Sequence, residues 1–409
     1  MTPEIRPIRE DELPAYLEAL TTAFQERPNI ERIAREIGAL WDLDRTRAAL
    51  DGDRICGTFR SWPTELTVPG GARLAAAAVS AVTVLPTHRR RGILRAMVGS
   101  EHGSMRERGE TVALLYASEY PIYGRFGYGA ACREASWTVD VAATGFHRPI
   151  QGTIELVSPD TTSRDAIRNV FDTWRLSQAG EIRRRDHGWD FDLGLREEFW
   201  GPGWKGFLAL HRDAAGEVDG YARYHVDEKW ERRQPRNTLV VDELHALDDP
   251  ARATLWRFLA EMDWVATIKA SRRTPSDPLP WLLTNARAAE LGEVGDGLWV
   301  RLFDVPQALA ARSYERAGRL VLEVIDEESP GGRIRVDLDA GPDGATCRAT
   351  DRPADLTIHV GALGAVYLGG RRLRDAVLPG GVDEHRPGAL GEADDLFRTL
   401  DEPWCSTFF

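Results

Sequence analysis

Early in the chain apolar side chains recur every three or four positions, in EDELPAYLEALTTAF (residues 10–24) and NIERIAREIGAL (29–40), a spacing that predicts two opening helices. The period then shortens. RICGTFRSWPTEL (54–66) and ARLAAAAVSAVTVLP (72–86) read as strands joined by a turn in VPGGAR (68–73). ILRAMVGSEHGSMRERG (93–109) returns to helical spacing, and VALLYASEY (112–120) reads as a buried strand. WTVDVA (137–142) is then expected to close a mixed α/β domain over residues 1–150.

The same vocabulary repeats over residues 151–300. DAIRNVFDTWRLS (165–177) is helical, FLALHRDAAGEVDGYARYHV (207–226) is two strands around a turn, and TLVVDELHALDDPARATLWRFLAEM (238–262) is a strand followed by a helix capped at Asp-Asp-Pro. This order resembles that of the first domain without its glycine-bearing turn. A third domain, residues 301–409, offers the strands RLVLEVIDE (319–327), RIRVDLD (333–339), ATCRATD (345–351) and DLTIHVG (355–361), then a helix in LGEADDLFRTL (390–400). SPGG (329–332) and LPGG (378–381) read as turns, too short for disordered linkers.

A length of 409 residues suits two or three domains, and the hydrophobic (43%) and charged (28%) fractions are those of globular proteins. No apolar run approaches the roughly 18 residues of a membrane helix, and the N-terminus lacks the pattern of a secretory signal, so a cytoplasmic protein without a membrane partner is expected. Cys56, Cys132, Cys347 and Cys405 lie far apart and the nine histidines are scattered, which suggests buried reduced thiols and neither zinc site nor disulfide framework. A net charge of −12 argues against a nucleic-acid partner and suits a small cationic one.

The most informative stretch is SAVTVLPTHRRRGILRAMV (80–98). A β-branched strand enters an Arg-rich turn, and Gly92 opens an amphipathic helix. Free backbone N–H groups at a helix start, aided by the helix dipole, make a cradle for a pyrophosphate. A basic helix cap with solvated arginines is the plainer reading of the bare pattern. GxxxxGK[ST] and GxGxxG are both absent.

This segment resembles the acetyl-CoA motif of the GCN5-related N-acetyltransferases. With LYASEYPIYGRFGYG (115–129) further along, the chain resembles the enhanced intracellular survival (Eis) family of aminoglycoside acetyltransferases over its whole length. The resemblance implies an α/β fold: two tandem GCN5-related acetyltransferase-like domains, the second lacking the cofactor motif, followed by a C-terminal sterol-carrier-like α+β domain. It implies acetyl-CoA as co-substrate and no metal. Val82, Thr83 and Val84 would pair with the pantetheine arm, Arg90, Arg91, Gly92, Ile93, Leu94 and Arg95 would wrap the pyrophosphate, and Ser118 and Glu119 would line the thioester gap. Val82 and Val84 also read simply as core strand.

Tyr123 matches the family's general acid, which would protonate the departing coenzyme A thiolate; Tyr116, Tyr120 and Tyr128 are its neighbours in sequence, and any of them could instead be packed core. His88, the histidine of the cofactor motif, reads as a surface residue. In the family the base is the C-terminal carboxylate. WCSTFF (404–409) would then be an anchor that brings Phe409 to the first domain, where aromatic surroundings strengthen a weak base; otherwise these rings finish the core of the third domain. Phe408 stands where the family's pattern has an acidic residue, and Tyr120-Pro121 where it has small ones, which bears on substrate range.

A polycationic aminoglycoside calls for carboxylates and aromatic faces together. Phe24, Glu26, Trp41, Asp42 and Phe408 are the candidates in the first and last segments, with Trp189 and Asp190 in the middle domain. Each of them singly also reads as core or surface. The resemblance further implies a homohexamer. A protein lysine or small polyamine as substrate, or a non-catalytic lipid or small-molecule binder using the third domain, are the alternatives.

Overall fold

The computed structural model describes residues 3–197, 203–375 and 381–409. The chain forms two compact units. The first comprises Met1–Ala131, Leu298–Leu400 and Phe408–Phe409; the second comprises Cys132–Gly297 and Asp401–Thr407.

In the first unit, β1 (Glu4–Pro7) leads to helices α1 (Leu13–Ala23) and α2 (Ile30–Ile37), as the apolar spacing predicts. Leu13, Tyr16, Leu17 and Leu20 of α1 are buried along one face, and the Asn29 side chain accepts the Arg32 amide to cap α2. Strands β2 (Thr46–Asp51), β3 (Arg54–Thr67) and β4 (Arg73–Val84) follow, then α3 (Ile93–Glu107), β5 (Val112–Tyr116), the single-turn α4 (Tyr120–Tyr123) and β6 (Gly129–Ala130). The VPGGAR turn between β3 and β4 holds Gly70 at φ +92° and Gly71 at φ +82°.

These strands form a seven-stranded sheet in the order β1-β2-β3-β4-β5, then strand Leu298–Leu302, then β6. The strand β7 (Arg133–Asp140), which contains the start of WTVDVA, does not close this sheet. It pairs antiparallel with strands Val265–Arg273 and Ala289–Asp296 in the second unit. Leu298–Leu302 takes the vacant position, antiparallel to both β5 and β6. REASWTVD alternates polar and apolar residues and LWVRL is mostly apolar, but neither pattern names its neighbour, so the choice of partner is made by the completed sheet rather than locally.

Strands Gly318–Ile325, Arg333–Gly341, Gly344–Ala349, Leu356–His359 and Val382–Glu384 build the five-stranded sheet of the C-terminal domain, also in the first unit. Leu322, Val324, Val336, Leu338 and Ile358 fill its core together with Leu363 of helix Val360–Val366. Of the LPGG turn, residues 378–380 lie outside the described residues.

The second unit has its own seven-stranded sheet, with helices Thr161–Trp174 and Asp249–Ala260 where the periodicity places them. Asp248 accepts the Ala251 amide at 2.8 Å to cap the latter helix. All four cysteines are buried thiols outside any disulfide. Among the described residues no helix is long and apolar enough to cross a membrane.

Candidate active site

The site begins where a sheet opens. β4 and β5 pair in parallel only from Ala76–Val112 to Ala78–Leu114. β4 runs on to Val84 held by β3 on its other side, with Thr83 opposite Thr58 and Val84 opposite Gly57. Among the described residues its β5-facing edge around Val82, Thr83 and Val84 therefore has no strand beside it. A bulge marks the opening: the β3–β4 register shifts between Thr58 and Arg60, and Ala81 adopts φ +54°. Thr58 Oγ1 donates to the Ala81 carbonyl at 2.8 Å and fixes the bulge.

Beyond β4 the chain makes a 3-10 turn at Pro86–His88, passes Arg90 at φ +64° and reaches Gly92 at φ +80°, the N-cap of α3. A Cβ on Gly92 would meet nothing within 4 Å, so the left-handed backbone and not crowding selects glycine here. The Ala96 amide is the first to bond within the helix, to the Gly92 carbonyl. The amides of Ile93, Leu94 and Arg95 precede that bond, as an anion cradle requires. Ile93 is buried, Leu94 half-buried, and Arg90, Arg91 and Arg95 are exposed at the rim. Arg91 donates to the Thr87 carbonyl at 3.1 Å. His88 departs from its expected surface position: it is 8% exposed, with its ring nitrogens on Thr87 Oγ1 at 2.8 Å and Asp51 Oδ2 at 3.2 Å. The turn folds back over β2, so a polar side chain in it is buried and paired.

After β5, Ser118 and Glu119 are exposed and Glu119 precedes α4. Tyr123 ends α4, half-buried. Burial, with a smaller effect from the Glu119 charge, pushes its phenol up to about 12, so it keeps its proton at neutral pH. Its neighbours in sequence are placed differently. The Tyr128 hydroxyl is buried against His102 Nε2 at 3.0 Å, and Tyr120 is exposed with its edge on Trp299. Tyr116 meets the end of the chain, with its ring centroid 4.9 Å from that of Phe408 and 5.3 Å from that of Phe409.

Phe409 also packs edge-on to Trp62 of β3, at 5.4 Å. The last residue of the chain thus sits in the first unit, on aromatic rings of β3 and of the C-terminal end of β5. The residues before it belong to the second unit. There the buried Glu181 carboxylate accepts the Ser406 amide at 2.7 Å and its hydroxyl at 2.6 Å, and Arg184 donates to Thr407 Oγ1 at 2.9 Å. The Trp404 indole donates to the Arg272 carbonyl at 2.9 Å.

Comparison with known proteins accounts for every part of this architecture. Residues 4–131 and 180–302 each match an Acetyltransferase (GNAT) domain family, and residues 305–406 match a Sterol carrier protein domain family. The N-acetyltransferase Eis of Mycobacterium tuberculosis is 38% identical over 330 residues, covering 78% of this chain and 77% of that protein. The chain belongs to the Eis family of GCN5-related N-acetyltransferases. The crystal structure of Eis1 from Mycobacterium abscessus superposes with a TM-score of 0.85 at 34% identity, covering 99% of this chain and all of that one (100%). An uncharacterized N-acetyltransferase of Streptomyces avermitilis is 40% identical over 414 residues, 99% of this chain and 98% of that protein.

As an Eis-family enzyme the protein is an acetyl-CoA-dependent N-acetyltransferase. The unpaired edge of β4 and the amides opening α3 fit the cofactor's extended amide arm and its pyrophosphate. The candidates for amine recognition are more dispersed. Phe24 (45% exposed) and Glu26 lie on the surface just after α1, and Asp42 is exposed. Trp41 is half-buried, and one of its faces carries the Arg60 guanidinium at 4.0 Å. Arg60 lies 4.9 Å from Trp62 as well, so a cation of the protein itself is stacked there. Trp189 is 1% exposed in the core of the second unit, and Asp190 pairs with Arg164 and Arg196, which removes both from an open pocket wall. Trp62 was not legible as a site residue: nothing near it in sequence marks the strand position that faces the chain end.

Proposed function

We infer that this N-acetyltransferase acetylates amines of aminoglycoside-like polycations, with Tyr123 as general acid and the Phe409 carboxylate as general base. The observation that carries this reading is the seating of Phe409 on Trp62 and Tyr116. A chain end is ordinarily frayed and polar; this one is aromatic and lies at the end of β5, where the sheet opens.

A substrate ammonium must lose a proton before it attacks. The terminal carboxylate, directly or through one water, accepts it, and the free amine adds to the thioester carbonyl. Collapse of the tetrahedral intermediate breaks the C–S bond, the phenol of Tyr123 protonates the departing thiolate, and the proton that the new amide nitrogen sheds restores the phenol through solvent. Tyr116, Phe408 (55% exposed) and Phe409 supply ring faces suited to a cationic sugar. Phe408 in place of an acid leaves one fewer charge to hold a particular amine, which favours breadth over selectivity.

The test is thiol release from acetyl-CoA with a panel of aminoglycosides, a small polyamine and a lysine peptide, using wild type and Tyr123→Phe. Rapid release with aminoglycosides that falls about 10²- to 10⁴-fold in Tyr123→Phe supports the reading. Release with the lysine peptide or polyamine alone transfers the function to that substrate class, and equal rates in the two proteins remove Tyr123 from its role. The same preparations show by sedimentation whether the enzyme is the homohexamer that we propose from the family likeness.

A further inference from the structure

The sterol-carrier-like domain shares one compact unit with the cofactor-binding domain, and its helix Val360–Val366 packs against strand Leu298–Leu302, β6 and the Gly124–Phe126 turn that follows Tyr123. Gly127 has φ +80°, and a Cβ there would meet Arg301 Nε at 2.6 Å and Val360 Cγ1 at 2.8 Å. A Cβ on Gly129 would meet the Gly361 carbonyl at 2.0 Å and the Ala365 amide at 2.3 Å, which are backbone atoms of helix Val360–Val366 and cannot move aside. Gly129 is therefore glycine because that helix lies directly against it, and Gly127 because of its left-handed backbone and the Arg301 and Val360 side chains; Gly124 of the same segment meets nothing within 4 Å.

A buried polar chain reaches the same loop from a different part of the domain. Glu328, after strand Gly318–Ile325, lies with Oε2 at 2.7 Å from His102 Nδ1, and His102 Nε2 lies 3.0 Å from the Tyr128 hydroxyl. Burial alone would favour a neutral Glu328, but His102, Arg301 and Arg106 outweigh it and hold the carboxyl below its usual range; burial keeps His102 neutral. The proton positions then follow. A carboxylate only accepts, so Nδ1 carries the hydrogen; Nε2 of a neutral ring must accept, so Tyr128 donates. Tyr128 in turn packs edge-on to Tyr123 at 6.0 Å, and its amide donates to the Tyr123 carbonyl at 3.3 Å.

We propose that the sterol-carrier-like domain is a working part of the acetyltransferase site, in which Glu328, through His102 and Tyr128, is a positioning residue for Tyr123. This rests on the reading of Tyr123 as general acid. The domain's contribution is then to orient the phenol toward the departing sulfur. A phenol displaced by a fraction of an ångström still packs, but transfers its proton less well.

The test is a double-mutant cycle on the full-length enzyme with Glu328→Ala and Tyr123→Phe, with Glu328→Gln as the conservative variant. Glu328 is partly solvent-exposed, so its truncation is compatible with folding, which circular dichroism checks. Glu328→Ala should lower kcat about ten- to a hundredfold, with KM for acetyl-CoA and for the amine within about twofold. Glu328→Gln, whose amide oxygen can still accept from His102, should restore most of kcat. In the Tyr123→Phe background Glu328→Ala should cost nothing further. Equal losses in both backgrounds, an effect on KM alone, or wild-type kcat in both folded Glu328 variants would overturn the proposal. A Tyr123→Phe enzyme as fast as wild type would instead refute the general-acid reading itself.

Discussion

Appending one glycine after Phe409 perturbs the base while leaving every native side chain in place. The extra residue carries the carboxylate about 3.5 Å further along the chain. A general base works with its heavy atom within about 2.6–3.2 Å of the atom whose proton it takes, or through one aligned water, so the displacement removes a direct contact and breaks the alignment of a water-bridged one. The anchoring contacts do not involve the carboxylate. Phe409 still meets Trp62 at 5.4 Å and Tyr116 at 5.3 Å, and Glu181 still holds Ser406 at 2.7 Å. The rate should therefore fall by about 10²- to 10⁴-fold, or about 3 to 5 kcal/mol of transition-state stabilisation, while folding stability changes by less than about 0.5 kcal/mol. Thiol release at saturating acetyl-CoA reads the first quantity, and a urea transition reads the second. Coenzyme A affinity, by calorimetry, should be unchanged. Wild-type turnover in the extended enzyme would refute the argument, because no plausible bend of one added glycine returns the charge to the same point with the ring still seated.

Other consequences can be measured directly. Gly92→Ala places a Cβ on a left-handed residue (φ +80°) with open space around it, so it should cost about 1–2 kcal/mol of stability from backbone strain and weaken acetyl-CoA binding; unaltered affinity by calorimetry would argue against the cradle. Glu181→Gln replaces a fully buried carboxylate that accepts from the Ser406 amide, the Ser406 hydroxyl and the Ile182 amide. It should cost about 2 kcal/mol and expose residues 401–407 to limited proteolysis; a resistant tail would contradict the clamp. Burial lifts Tyr123 and Tyr224 to about 12, above the ordinary value near 10 that they regain on unfolding. The folded state thus binds these protons more tightly, so their contribution is fully present below about pH 10 and is lost as pH rises from there toward 12. A melting temperature that stays level across that interval would refute the assignment.

How much of this was legible beforehand depends on whether the determinant is local. The turn from β4 into α3 was readable because glycine at a left-handed position, a β-branched strand and helical periodicity are properties of neighbouring residues. So were α1, α2 and the Asp248 cap. The destination of β7 was not: WTVDVA and LWVRL are equally suited to a central strand, and the pairing rests on which edge remains when the sheets close. His88 was misread for the same reason, since its partner Asp51 lies on β2, out of sequence range.

By itself, then, the sequence determined the elements, the cofactor turn, the three-domain order and, through WCSTFF, that the chain end needed a partner. Only the tertiary structure decided what that partner is: Trp62 and Tyr116 for Phe409, and likewise Glu328 for His102 and helix Val360–Val366 for Gly127 and Gly129. Short-range structure follows from dihedral preference and periodicity, which each residue carries with it. Long-range contacts depend on where whole sheets and helices come to rest, which no single stretch of the chain encodes.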